Sequence, residues 1–236
     1  MDSDTYLGIG SVALILTFVL LVPVLTYRFE KHMVWQFGEP EAQPPNTHPY
    51  TDSGVATATQ AGFLFLGWAR DLRGGVYQVN HALLVSPDRT TIAVITAGIL
   101  LVPIEGTCLY TPTAEGRLFY TTNSQYFVQI DVSRHWTNRL ALERAFGKLW
   151  QHHEEWLQEM AVLPRPFSRS GHELEDFRAL RAEHYRSTAH AGLISYIDAP
   201  GSRWQFTLYG AIRTAIRSLL VGLMRRVTLG RFPRNA

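Results

Sequence analysis

The chain predicts an α+β fold carried on a single N-terminal transmembrane helix. Three observations lead there: an uncharged apolar run at the start, β-branched runs separated by short turns, and helical periodicity over the last hundred residues. The expected order is one span, an antiparallel β-meander, two long amphipathic helices and a C-terminal basic amphipathic helix.

Leu7 to Thr26 contains no charged residue. At about 1.5 Å per residue it reaches roughly 30 Å, the thickness of a bilayer's hydrocarbon core. A cleaved leader fits less well. The preceding residues are acidic (Asp2, Asp4), and Val24-Leu-Thr-Tyr27 is not a small-residue cleavage site. Arg28 and Lys31 follow the run directly, which predicts a cell-membrane protein with its N-terminus outside and its soluble domain cytoplasmic. Residues 1–6 would be a short outer segment, 7–27 the span, and 28–61 a juxtamembrane stretch with a Pro-rich linker. Within it, Gly38 to Gly54 holds Glu-Pro, Pro-Pro and His-Pro pairs that favour extended backbone.

Residues 62–198 read as the α+β domain. Val76 to Val85 is strand-like and ends at Ser86-Pro-Asp-Arg-Thr90, a turn sequence. Thr91 to Thr96 follows, rich in β-branched residues. Cys108–Thr111 and Arg117–Thr122 flank a five-residue loop closing on Gly116, as in a hairpin. Gln125 to Ile130 is a further candidate strand. Ile92 to Ile104 is apolar but short, and Gly98 and Pro103 interrupt it, so it reads as buried strands and not as a second span.

Helical spacing then takes over. Leu142, Phe146, Leu149, His153, Trp156, Leu157 and Met160 share one face, with Pro164 and Pro166 beyond. Ser170-Gly-His-Glu173 has the form of a capping box, and the next helix carries Leu174, Phe177, Leu180, His184, Ala191 and Ile194 near one face. Both helices are expected on one face of the sheet.

The segment 199–236 is distinct. It holds seven arginines and no acidic residue, leaving 15 basic against 20 acidic groups in the first 198 residues. Leu208, Ile212, Ile216, Leu219, Leu220 and Leu223 cover about a third of a helical circumference, with Arg213, Arg217 and Arg225 outside it. Arg225-Arg226 and Arg231 extend the positive charge. Arginines within the segment argue against spanning, whereas an apolar stripe flanked by arginines suits a helix lying on anionic phospholipid. Arg213, Arg217, Arg225, Arg226 and Arg231 are the expected lipid-surface contacts. Nucleic acid is a poorer partner, because phosphate binding has no use for the apolar stripe.

No phosphate loop, nucleophile elbow, zinc helix or paired-cysteine motif is present. Cys108 is the sole cysteine, so it forms no internal disulfide. The chemistry-bearing candidates are His153 and His184, one on the apolar stripe of each long helix, with Glu154 and Glu183 beside them and His152 and Glu155 near. Packed together, these helices would bring two imidazoles and a carboxylate into reach of a metal or a substrate proton. The simpler reading is a pair of hydrogen-bonded core histidines. The sequence therefore favours a membrane-anchored interaction or accessory protein without a cofactor, with the bilayer and other membrane subunits as partners. The alternative is a surface enzyme or metal-binding protein using the His/Glu group.

Overall fold

The computed structural model describes residues 17–18, 21–29, 31–33, 35–37, 48–73, 77–99, 103–123, 136–141, 143–167, 171–199 and 201–229. Its centre is one sheet of ten strands. Five strands form an antiparallel meander: β3 (Leu64–Arg73), β4 (Tyr77–Val85), β5 (Ile92–Ile99), β6 (Pro103–Pro112) and β7 (Leu118–Thr122). Short strands extend both edges. β8 (Trp136–Leu140) lies parallel to β7. At the other edge, β1 (His32–Met33) and β2 (Gln36–Phe37) pair with β3, and β1 is followed outward by β10 (Arg203–Phe206) and β9 (Ile194–Tyr196). The expected strand at Gln125 to Ile130 lies outside the described residues.

Helices cover both faces of the sheet. On one face, α1 (Pro49–Gln60) and α2 (Phe146–Glu159) bury Ala58, Phe146 and Leu149 against Ala82, Leu84, Ala93, Ile95 and Leu109. Phe63 sits edge-on to both Phe146 and Trp150, with centroids 5.1 Å away in each case. On the other face, α3 (Glu173–His190) drives Phe177 among Trp35, Leu83, Val94, Tyr110 and Tyr120. Strands apolar at both parities, such as Ala82-Leu83-Leu84-Val85, require cover on both sides. The long helices thus lie on opposite faces and not together on one.

α1 occupies the second half of the expected linker. Pro49 is its first residue, where a proline's fixed φ helps a helix start, and His48 caps it by accepting from the Tyr50 amide at 3.3 Å. The proline pattern there marks a helix N-terminus. The expected capping box before α3 takes another form as well. Its N-cap is His172, without a side-chain cap bond, and Glu173 reaches back to accept from the Gly171 amide at 2.9 Å. Glu173 also accepts from Arg89 at 2.7 Å, which fastens α3 to the turn after β4.

The expected membrane span is not supported. No helix among the described residues is long and apolar enough to cross a membrane. The described end of the run is the helical stretch at 21–29. It is then tied at once into the sheet through β1, and the Tyr27 ring meets Phe206 of β10 at 5.8 Å. With the span goes the fold class built on it, and so does the single-pass cell-membrane placement inferred from Arg28 and Lys31. The longer helix α4 (Leu208–Leu229) has the length, but Arg213, Arg217, Arg225 and Arg226 interrupt it.

α4 is seated by its small residues. Thr207 caps its start by accepting from the Gly210 amide at 3.0 Å and donating to the Gly192 carbonyl at 2.6 Å. Gly210, Ala211 and Ala215 are buried on the side facing the body of the protein. A Cβ on Gly210 would lie 1.9 Å from the Leu193 carbonyl oxygen, so only glycine permits this approach. Gly210→Ala is therefore expected to displace α4 and to lower stability by about 2 kcal/mol, the scale of overpacking a close contact. Limited proteolysis should then open new cut sites just after Thr207. An unchanged digestion pattern and melting temperature would contradict this seating.

Candidate functional site

The two candidate histidines do not meet. His153 points from α2 into the sheet face shared with α1, fully buried. Its Nε2 lies 2.8 Å from the Thr111 hydroxyl and its Nδ1 2.7 Å from that of Thr121, and Thr111 continues to Thr91 at 2.6 Å. Both ring nitrogens are thus occupied by hydroxyls of neighbouring strands, which can donate to one and accept from the other. Burial pushes its pKa down to about 3, so the ring is neutral.

His184 lies on α3, across the sheet. It too is buried, and desolvation, helped by the charge of Arg181, holds its pKa at about 3. The sheet stands between the two imidazoles. Glu154 is exposed, with its carboxyl raised by desolvation and by Asp88. Glu183 is exposed and pairs with Arg186 at 2.9 Å. His152 lies on the surface of α2, 3.8 Å from Glu143 and 3.5 Å from Glu155. Among the described residues no three His, Cys, Asp or Glu side chains converge as a metal site. Cys108 is buried in β6, its thiol pushed up to about 11 by desolvation and directed at Thr122.

A second buried polar column lies beneath α3. His81 touches the Thr96 hydroxyl at 2.8 Å, Trp35 stacks on His81 with centroids 3.9 Å apart, and the Arg181 guanidinium lies 4.0 Å above Trp35. Arg181 also donates to the Tyr185 hydroxyl at 2.9 Å. A guanidinium over an indole is a favourable cation–π contact. Its role here is to fix α3 and the β1–β2 segment on the sheet.

The surface offers more than the interior. α4 carries Leu208, Tyr209, Ile212, Ile216 and Leu220, all exposed, Leu208 to 60 % and Leu220 to 55 %. Arg213 is exposed beside this stripe. Arg217, Arg225 and Arg226 lie in the same helix, and Arg231 lies outside the described residues. Of the expected stripe, Leu208, Ile212, Ile216 and Leu220 are exposed and Leu219 is half-buried. The sequence pattern left open which way the stripe faces, and the small seam Gly210-Ala211…Ala215 was the available signal. Small residues let a helix backbone approach its support closely, and that turns the large ones outward.

Comparison with protein-family models, with curated proteins and with solved structures finds no match, so function must be read from the residues themselves.

Proposed function

We propose that the chain is a non-enzymatic interaction or accessory protein whose working surface is the exposed stripe of α4, laid on an anionic phospholipid surface. One observation carries this reading: among the described side chains of α4, Leu208, Tyr209, Ile212, Ile216 and Leu220 are exposed, while Gly210, Ala211 and Ala215 are buried against the protein. A helix serving only its own core would be turned the other way. Contiguous exposed apolar residues beside basic ones mark an interaction site, and a helix with an apolar and a basic side suits the boundary between headgroups and acyl chains. Arg213 and the arginines that follow it in sequence match the sign of such a surface, at about 1 kcal/mol for each one near it.

Co-sedimentation with vesicles tests this. The chain should bind phosphatidylcholine–phosphatidylserine vesicles in low salt and bind phosphatidylcholine alone more weakly. Because Ile212 and Ile216 are exposed, the double substitution Ile212→Asp, Ile216→Asp should leave the melting temperature unchanged. Binding should fall by at least about tenfold, the loss of roughly one buried apolar side chain. Equal binding by the substituted and native chains would overturn the reading.

A further inference from the structure

We infer that the helical stretch at 21–29 and α4 form a single two-helix docking surface, and that both seat together on the same anionic lipid surface. This rests on the lipid reading of α4 and extends it to the other end of the chain.

The geometry comes from one strand pair. In the antiparallel ladder of β1 and β10, His32 lies opposite Trp204 and Met33 opposite Arg203. The chain enters β1 from residues 21–29 and leaves β10 into α4. Antiparallel pairing places that entry and that exit at the same end of the ladder. Aromatic contacts lock the junction. Tyr27 is edge-on to Phe206 at 5.8 Å, His32 stacks on Trp204 at 4.2 Å, and His32 is edge-on to Phe206 at 5.6 Å. Segments nearly two hundred residues apart in sequence therefore leave the sheet from one corner.

Both carry large apolar side chains outward at that corner. Phe18, Leu21, Val22, Leu25 and Phe29 are exposed, Phe18 to 68 % and Phe29 to 72 %, at the spacing of one helical face. With Leu208, Ile212, Ile216 and Leu220 they give two exposed apolar helix faces that start from one corner of the sheet, more than the single scattered residues that ordinary surfaces carry.

Charge identifies the occupant. Lys31, just before β1, and Arg203 on β10 are exposed at the junction, and Arg213 is exposed on α4. From residue 199 onward no acidic residue is present. Glu30 stands between Phe29 and Lys31 in the sequence, and Asp198, just before β10, accepts from the Ser202 hydroxyl at 2.5 Å and from the Arg203 amide at 3.0 Å. An apolar face rimmed by cations complements a layer of acyl chains beneath anionic headgroups. A second copy would instead bring like charges together.

The test uses the full chain and vesicles of phosphatidylcholine and phosphatidylserine. Two sets of substitutions are compared: Leu25→Asp with Phe29→Asp, and Ile212→Asp with Ile216→Asp. Melting curves check that each set folds. If the two helices share one surface, each set alone should weaken vesicle binding by at least about tenfold, and the combined set should weaken it further. A loss confined to the α4 set would overturn this inference and leave the α4 reading standing. A loss confined to the N-terminal set, or no loss in either, would overturn both. Analytical ultracentrifugation without vesicles covers the remaining occupant. A dimer broken by these substitutions, in a chain that does not bind vesicles, would assign the surface to a second copy and overturn the lipid assignment.

Discussion

Lowering the pH from neutral to about 5 is expected to remove about 4 kcal/mol of folding stability, contributed by two histidines. His153 and His184 are both buried, and both have pKa values near 3 in the folded chain. An exposed imidazole in the unfolded chain titrates near 6.5. The folded state thus holds neutral rings while the unfolded state binds protons. Stability from this source is complete above about pH 6.5 and drains away as pH falls from there toward 3. At pH 5 each ring accounts for about 2 kcal/mol, a large share of the roughly 5–15 kcal/mol that holds a domain folded. Urea unfolding at the two pH values measures the difference. His153→Gln removes one titrating group. It should lower stability at neutral pH, because Thr111 and Thr121 lose their shared partner, and it should also flatten the pH dependence by about half. Equal urea midpoints at neutral pH and pH 5 in the native chain would contradict the buried neutral rings.

The same two residues show how far the sequence could be read. Their placement on the apolar stripes of two helices was visible, and burial follows from it. Whether they meet was not visible, because helical periodicity gives a face and not the neighbour that face turns toward. The strands carried part of that information. β4 and β5 are apolar at both parities, through Ala82-Leu83-Leu84-Val85 and Ala93-Val94-Ile95, which calls for cover on both faces, and in the structure the two long helices supply it from opposite sides. The meander itself was legible because its strands join through short turns.

The edges were harder. β1, β9 and β10 are two to four residues long, too short for any periodic signal, and β1 pairs with β10 across most of the chain's length. Without them the apolar run before residue 27 reads as a span. With them, the described end of that run is helical and tied to the sheet edge through Tyr27 and Phe206. α4 shows the same limit. Amphipathicity was legible in Leu208, Ile212, Ile216 and Leu220, but amphipathicity does not say which side is docked. The backbone contact at Gly210 decides it, since the Leu193 carbonyl leaves no room for a larger residue.

Phe177→Ala is the substitution expected to cost the most. The ring is fully buried at the centre of the α3 face, 5.3 Å from Tyr110 and 6.4 Å from both Trp35 and Phe37. No smaller side chain can keep those contacts, and its neighbours are held in place: Trp35 lies between His81 and Arg181, and Tyr110 is stacked on Tyr120. The site therefore collapses poorly, and the cost should lie toward the upper part of the range of about 3–5 kcal/mol for removing a buried aromatic ring. In a chain of this size that corresponds to a fall in melting temperature of about 10 °C or more. Leu208→Ala is the matched control: it also truncates a large apolar side chain, but one that is already exposed, so the melting temperature should stay within about 2 °C of the native value. The pair separates the two uses of apolar residues in this protein. Phe177 holds the fold, so its loss should show in thermal unfolding whether or not lipid is present. Leu208 is available to a partner, so its loss should show only when vesicles are added. If Phe177→Ala destabilised by less than about 1 kcal/mol, α3 would not be anchored through this ring, and the packing of that whole face would need revision.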